Sequence, residues 1–120
     1  MVTYIATLWA KPGHENEVTR FYQELEGLMR EAKGYRGRKI LRARTVTMAA
    51  AIRKVVSAEE LARHPEPEPK GTHFVMVEQW DSVEDRIAFS RGASAGRARE
   101  LFPHILPEHS HEFYEDVTPA

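Results

Sequence analysis

Histidine is the residue type in this sequence whose ordinary side-chain pKa lies nearest to neutral pH. Its imidazole titrates around physiological pH, so a positioned histidine can act as a general acid or base. His73 and His104 stand outside the histidine pair near the end of the sequence, and we take them as the candidate catalytic residues. Each could instead be structural or face solvent. The absence of cysteine excludes thiolate nucleophiles, thiolate metal sites and disulfides.

The remaining pair, His109 and His111, has the spacing of a metal-binding motif. With Glu115 it reads H-x-H-x3-E, and alternate residues of a strand share one face, as in the metal sites of cupin barrels. A cupin barrel needs many strands and a second motif, which this sequence does not supply. The pair with Glu112 could still bind a metal adventitiously. We predict no functional metal site and no cofactor.

Aromatic side chains are the candidates for holding a flat ligand. Trp80 follows an apolar run, His73–Val77, and directly precedes a helix start. An indole in that place either forms the wall of a ligand pocket or packs in the core with its N–H bonded. The same two interpretations apply to the other candidates, and the predicted substrate-binding set is Trp80, Phe89, Trp9 and Tyr22.

Arginines recur at alternate positions along one predicted strand, at Arg36, Arg38, Arg42 and Arg44. Guanidinium groups on one side of a strand could bind an anionic ligand or a carboxylate-bearing substrate. The alternative is an exposed edge strand whose charges protect it against aggregation. The sequence contains no glycine-rich phosphate loop, nucleophile elbow or Walker pattern.

The elements that must position these residues begin with a strand over Thr3–Ala10, rich in aromatic and β-branched residues and broken by Lys11-Pro12-Gly13. A helix follows, and Gly34 is expected to end it. A second strand is predicted over Arg38–Met48. The helix carries an apolar stripe at spacings of three and four, made of Val18, Phe21, Leu25, Leu28 and Ala32.

Residues 49–71 fit this order least and are predicted to be an insertion between the second and third strands. Ser57 and Glu60 have the spacing of a capping box, so we expect a short helix to about His64. Pro65–Pro69 alternates proline and glutamate, which favours an extended, exposed linker. Such a segment covers an edge, closes a pocket, meets a partner or simply connects.

The second half of the sequence repeats the order of the first. The apolar strand, expected to be covered on both faces, ends in EQWDS, and Ser82 with Asp85 predicts an N-cap. A helix is expected from about Val83 towards Ile105, interrupted near two glycines, with a buried stripe that includes Phe102. A last strand is predicted over His109–Val117. We therefore predict an α+β protein with the ferredoxin-like split β-α-β fold, a four-stranded antiparallel sheet with both helices on one face.

Two helices leave the other face of such a sheet uncovered. The first and third strands are apolar at odd and even positions, so that face must carry apolar side chains. A two-fold dimer packing sheet on sheet would bury them, and we predict a homodimer through the sheet face.

The composition restricts the class of protein further. At 120 residues the chain should form one domain, and 17 basic against 18 acidic residues give no electrostatic footprint for nucleic acid or an anionic membrane. The apolar stretch Tyr4–Ala10 lacks a basic segment before it and is too short to cross a bilayer. We expect no nucleic-acid or membrane partner and a cytoplasmic location.

Several of these features together resemble one family. They are the opening strand ending in K-P-G before an acidic helix, the turn and arginine-rich strand GYRGRKILR, the E-x-W-x-S strand end at Glu78, Trp80 and Ser82, and a terminal Phe-Tyr strand. In these the chain resembles the antibiotic biosynthesis monooxygenases along almost all of its length except residues 49–71. The resemblance implies a dimeric α+β barrel.

The resemblance also implies a choice of chemistries. Haem-degrading relatives use an asparagine on the first strand, where this chain has Ala6, and a tryptophan and a histidine on the second helix, where it has Phe89. The polyketide oxygenases of the family use a buried asparagine, a tryptophan and an arginine. The only asparagine here, Asn16, lies in the first turn of the first predicted helix, so neither set of residues is intact. Haem degradation is thus disfavoured. The resemblance favours a cofactor-independent monooxygenase acting on a small aromatic or quinol substrate; the alternative is a non-catalytic small-ligand-binding or stress-related protein on the same fold.

Overall fold

The two most apolar segments of the sequence pair as neighbouring central strands. In a computed structural model, which describes residues 1–63, 65 and 70–120, β1 (Val2–Ala10) and β3 (Thr72–Trp80) are antiparallel along their whole length. The outer strands are β2 (Tyr35–Arg42) and β4 (Ile105–Tyr114), and the order across the sheet is β2-β3-β1-β4. This four-stranded antiparallel sheet confirms the predicted ferredoxin-like fold.

Two helices, α1 (Glu15–Arg30) and α4 (Val83–Arg91), lie on one face of the sheet. In β1 and β3 the even-numbered residues point towards them, and in β4 the odd-numbered residues from His109 to Phe113 do, because side chains alternate along a strand and residues paired across strands share a face. One core cluster joins Leu8, Phe74 and Met76 to Val18 and Leu101, and a second joins Trp80 to Leu25, Met29 and Phe89. None of the helices in the described part of the chain is both long and apolar enough to cross a membrane.

The first helix ends earlier than the sequence pattern indicates. Its last residue is Arg30, and the Glu31 N–H bonds back to the Leu28 carbonyl. Gly34, predicted to end the helix, lies instead in the turn that leads to β2, with a positive φ of 83°. A side chain there would also collide with Asp85. The glycine is therefore required by the turn and by the close approach of α4.

The second strand was predicted too long. It ends at Arg42, and Thr47–Arg53 forms a helix, α2, because Met48 is followed by a run of alanines that favours helix. Val46, with φ 65°, breaks the chain direction between them. The short helix of the insertion is present as α3 (Ala58–Arg63). Its predicted end at His64 and most of the predicted proline-glutamate linker lie outside the described residues.

The second long helix was also predicted too long. It ends at Arg91, and two single 3₁₀ turns, Arg97–Glu100 and Phe102–His104, follow before β4 begins at Ile105. Gly92, with φ −108° and ψ −101°, leaves the helical conformation, and Gly96, with a positive φ of 79°, precedes the first 3₁₀ turn. The last strand thus starts before His109 and ends at Tyr114, because residues from Ile105 onward already pair with β1. Of the predicted stripe Leu101 is buried, whereas Phe102 is 64% exposed.

The other face of the sheet carries the odd-numbered residues of β1 and β3, Lys39 and Leu41 of β2, and even-numbered residues of β4. Ile5, Val75 and Val77 are partly buried at its centre, and Ile5 lies opposite Val77 in the register. Polar residues are interspersed, and Thr3 donates a hydrogen bond to the Gln79 amide oxygen (2.9 Å). We call this surface the open face. It is mixed in character rather than uniformly apolar.

Candidate functional site

A cavity of about 400 Å³ lies between the helices and the β1–β4 side of the sheet. Its volume is within the range of small-molecule sites. The sheet forms one wall, α1 and α4 form a second, and residues 94–102 form a third. Most of the lining is apolar. Its polar groups include those of Tyr4, Tyr22, Arg38, Glu78 and Arg86.

Glu78 is a buried carboxylate in the cavity wall. It occupies an even position of β3, so its side chain points towards the helices, and the residue is only 3% exposed. Trp80, two positions along the same face, donates its indole N–H to Glu78 Oε1 (2.8 Å). Arg86 Nε donates to the same oxygen (2.7 Å). Among the residues that the structure describes, no hydrogen bond engages Oε2, which leaves this oxygen for a ligand.

Arg86 reaches Glu78 from the first turns of α4. Its guanidinium carbon lies 4.2 Å from the centre of the Tyr4 ring, a cation–π contact. The Ser90 hydroxyl, one turn further along the helix, accepts from Arg86 Nη1. Burial raises the pKa of the Tyr4 phenol, partly offset by the Arg86 charge. Tyr4 therefore stays protonated at neutral pH and offers a hydroxyl to the cavity.

Arg38 enters the cavity wall from β2 with a side chain that is 1% exposed. Nη2 donates to the Tyr22 carbonyl oxygen (2.5 Å) and to Glu26 Oε2 (3.2 Å). Nε and Nη1 are buried and have no partner within the described residues. Unpaired buried donors cost free energy, so an oxygen of a bound ligand would be favourable there.

Tyr22 brings a second phenol to the cavity. The Arg38 guanidinium carbon lies 5.6 Å from the centre of its ring. Burial raises the pKa of Tyr22 well above its ordinary range, although the Arg38 charge acts in the opposite direction. The cavity thus combines neutral phenols, an ion pair and a partly unpaired guanidinium inside an apolar lining. Such a set suits a flat aromatic molecule that carries a hydroxyl or an anionic oxygen.

No protein-family model matches the sequence, and no curated protein matches it. Solved structures do match. A Bordetella bronchiseptica protein assigned to the antibiotic biosynthesis monooxygenases gives a TM-score of 0.67 at 15% identity, covering 98% of this chain and 97% of that one. One from Nitrosomonas europaea gives 0.68 at 12%, covering 98% and 100%. SnoaB, a cofactor-independent oxygenase from Streptomyces nogalater, gives 0.65 at 12%, covering 98% and 94%. The fold is that of the antibiotic biosynthesis monooxygenases.

Two of the predicted site residues lie in the cavity of this monooxygenase fold. Tyr22 and Phe89 both line it, Phe89 being 5% exposed. Trp80 is fully buried and lies next to the cavity rather than in its lining, with its ring centre 5.7 Å from that of Phe89. It contacts the cavity through Glu78, which it hydrogen-bonds. Ala6 on β1 lines the cavity as well.

The other predicted residues lie elsewhere. Trp9 and His73 are neighbours on the open face, with ring centres 4.6 Å apart. His104 lies at the end of the second 3₁₀ turn, where its ring contacts His14. The structure therefore does not bring the two candidate catalytic histidines together, and neither of them lines the cavity.

The row of arginines on β2 is divided by the fold. Arg36 is 60% exposed and pairs with Asp81 (2.6 Å), as expected for an edge strand, whereas Arg38 is buried in the cavity wall. The predicted metal spacing is divided as well. His109 and His111 share one face of β4, but Glu112 lies on the other face and Glu115 lies beyond the strand.

Glu78, Arg86 and Arg38 were not among the predicted site residues. Glu78 had a detectable signal, since it shares a strand face with Trp80 and was already part of the E-x-W-x-S motif. Arg86 could have been linked to it only by knowing how α4 folds back on the sheet. Arg38 was seen within the arginine row, but its burial depends on α1 covering it, which spacing along β2 cannot show.

Proposed function

We propose that the protein is a cofactor-independent monooxygenase that oxidises a small phenol or quinol, such as a naphthol, bound in the cavity. The observation that carries the proposal is that the cavity contains both a carboxylate that can accept a proton and a guanidinium that can stabilise an anion. Among the described residues, Glu78 has a carboxylate oxygen without a protein partner, and Arg38 has two donors without one. The first can take a proton from a hydroxyl, and the second can stabilise the oxyanion that results. The likeness of the fold to SnoaB supports this reaction class.

The proposed reaction begins with transfer of the substrate hydroxyl proton to Glu78 Oε2. The naphtholate, held by Arg38, gives one electron to O₂, and the resulting radical and superoxide combine into a peroxide bond at the ring carbon para to the oxygen. Glu78 returns its proton to the outer peroxide oxygen. The O–O bond then breaks as the ring carbon loses its hydrogen as a proton. The hydroxide that leaves combines with this ring proton to form water. Naphthol and O₂ thus become naphthoquinone and water, with no further reductant.

We also propose that two copies associate through the open face. Support comes from the partly buried Ile5, Val75 and Val77 at the centre of that face and from the exposed Leu41 beside them. The cavity lies on the opposite side of the sheet, so its charged residues belong to a single chain. Catalysis should therefore depend on the dimer only through stability.

Oxygen consumption in the presence of 1-naphthol and dihydroxynaphthalenes tests the proposed reaction. We expect quinone formation above the rate in buffer alone, and Glu78→Gln should lower kcat by roughly 10²–10⁴-fold through loss of the base. Arg38→Met should lower both kcat and substrate affinity. The matched controls are Glu112→Gln, on the open face, and Arg36→Met, an exposed arginine of the same strand.

Circular dichroism of each variant separates loss of function from loss of fold. Naphthol binding without any oxygen consumption above background would contradict catalysis and favour the alternative, a ligand-binding protein. Equal losses in Arg36→Met and Arg38→Met would contradict the role given to the buried guanidinium.

A further inference from the structure

Two histidines from distant parts of the chain meet beside the start of α1. His14 Nδ1 lies 2.9 Å from His104 Nδ1, and the ring centres are 5.2 Å apart. Both side chains are partly buried. Neither residue lines the cavity, so the proposed oxidation makes no use of the pair.

A carboxylate completes the group. Glu17 lies one helical turn after His14 and therefore on the same side of α1. One ligand atom from each of His14, Glu17 and His104 lies within 4.8 Å of the other two. Zinc bonds of about 2.0–2.2 Å to nitrogen and oxygen put tetrahedral ligand atoms roughly 3.3 Å apart. Small side-chain adjustments would bring the three to that spacing.

The backbone holds both histidines in position. The Lys11 N–H donates to the His104 carbonyl oxygen (2.9 Å), and the His14 N–H donates to the Lys11 carbonyl oxygen (2.9 Å). The His104 N–H donates to the Leu101 carbonyl oxygen (2.8 Å). The adjacent Glu15 accepts from Gly13 and Thr72 and so does not compete with Glu17 for the same place. The ligands are thus brought together by the fold before any ion binds.

We propose that His14, Glu17 and His104 bind a divalent transition-metal ion of the zinc, nickel or copper type, with water completing the coordination. Two imidazole nitrogens and one carboxylate oxygen form a ligand set that suits these metals better than it suits calcium or magnesium. The ion would connect the start of α1 to the residues that precede β4. Because Leu101 and Ile105 on that segment line the cavity, it would hold one cavity wall against the helix. The proposal differs from the expectation from the sequence that no metal binds.

Calorimetric titration of the tag-free protein with zinc chloride tests the site. We expect saturation at one zinc ion per chain. His14→Ala and His104→Ala should each weaken the affinity by at least about tenfold, because losing a ligand should cost at least as much as the 10–100-fold typical of outer-shell changes. Glu17→Gln should weaken it less, since the amide oxygen remains a poor ligand. The matched control, His111→Ala, removes an exposed strand histidine and should bind as the wild type does.

Thermal unfolding gives a second readout that does not depend on the folding of any variant. Zinc should raise the midpoint of the wild-type protein, because an ion that binds only the folded state stabilises it. The absorption spectrum of the cobalt-loaded wild type should be that of four-coordinate rather than aqueous cobalt. Absence of saturable uptake at millimolar zinc, or uptake lost in His111→Ala and kept in His14→Ala, would overturn the proposal.

Discussion

The Trp80 indole acts both as a core residue and as a partner of the cavity carboxylate. Its ring fills the space between Leu25, Met29 and Phe89, and its N–H fixes one oxygen of Glu78. Because Arg86 bonds the same oxygen, the carboxylate has a defined orientation with the second oxygen left over. A residue outside the cavity therefore sets the direction of a group inside it.

Replacing Trp80 with alanine should lower the free energy of unfolding by roughly 3–5 kcal/mol, the usual cost of removing a fully buried large side chain. Guanidinium denaturation followed by circular dichroism measures this. Phe102→Ala is the control, since Phe102 is 64% exposed and surface changes usually fall within about 0.5 kcal/mol. An equal loss in both variants would be inconsistent with the packing described for Trp80.

Tyr22 should make stability sensitive to alkaline pH. Its folded-state pKa is raised, chiefly by burial, above the value of about 10 that the phenol has in an unfolded chain. The unfolded state therefore ionises first, so the contribution of Tyr22 is complete below about pH 10 and is lost as the pH rises towards the folded pKa.

Urea denaturation at a series of pH values above 9 or so measures this effect. We expect the free energy of unfolding of Tyr22→Phe to fall less steeply with rising pH than that of the wild type. Comparison with Tyr114→Phe, which removes a hydroxyl at an exposed position, isolates the effect of burial. Parallel curves for the wild type and Tyr22→Phe would contradict the raised pKa.

At the scale of single residues, the sequence indicated which residue types could form a site better than it indicated the role of each residue. Tyr22 and Phe89 were candidates because aromatic side chains can hold a flat ligand, and the family resemblance marked Phe89 as well. Arg38 could not, because an arginine on an edge strand is normally solvated, and only the packing of α1 against β2 buries this one. His73 lies on the open face with Trp9, and the sequence could not show this because β3 is apolar on both faces.

At the scale of elements, two serines offer a matched comparison. Ser82 Oγ accepts from the Asp85 N–H and Ser57 Oγ from the Glu60 N–H, each at 3.1 Å, so both are helix N-caps. The helices differ in their burial. Phe89 anchors α4 in the core, whereas no residue of α3 is buried.

Ser82→Ala should lower the global free energy of unfolding by about 1 kcal/mol, the typical value of an N-cap. Ser57→Ala should leave it nearly unchanged, because α3 can unfold locally without opening the core. Urea denaturation followed by tryptophan fluorescence reports the global transition in both variants. If Ser57→Ala costs as much as Ser82→Ala, the insertion is coupled to the core more tightly than its exposure indicates.

Elements with one dominant local signal were predicted correctly, and those ended by tertiary contacts were not. The paired central strands follow from two continuous apolar runs, and the Ser82 cap follows from a single side-chain hydrogen bond. The end of β2 and the start of β4 depend on where the neighbouring strand provides backbone hydrogen-bond partners. Ile105 could be helix or strand by its own preference, and its pairing with Ala10 decides between them.

At the scale of the whole molecule, the open face determines whether the chain is alone in solution. Ile5, Val75 and Val77 form its apolar centre, and Leu41 on β2 is 50% exposed. Thr3 donates a hydrogen bond to the Gln79 amide oxygen, so these two groups would already be paired when the face is buried in an interface. A second copy of the same face is the partner we expect.

Sedimentation at micromolar concentration should give about twice the mass of one chain for the wild type. Val77→Lys should give the mass of a single chain, because the new charge would lie beside Lys39 at the centre of the face. Ile87→Lys, on the exposed surface of α4, is the control and should leave the mass unchanged. A monomeric wild-type protein would end the prediction of a sheet-to-sheet dimer.

The segment between α4 and β4 has a consequence for how such a protein can change over evolutionary time. The groups proposed for chemistry, Glu78 and Arg38, are fixed to central and edge strands, while Ser94, Ala98 and Phe102 contribute the facing wall from turns in which Leu101 alone is buried. Substitutions in that wall can alter the shape and width of the cavity without disturbing the sheet. New ligands could thus be accommodated by substitutions in one short stretch of chain, while the groups proposed for the oxidation stay in place on the sheet.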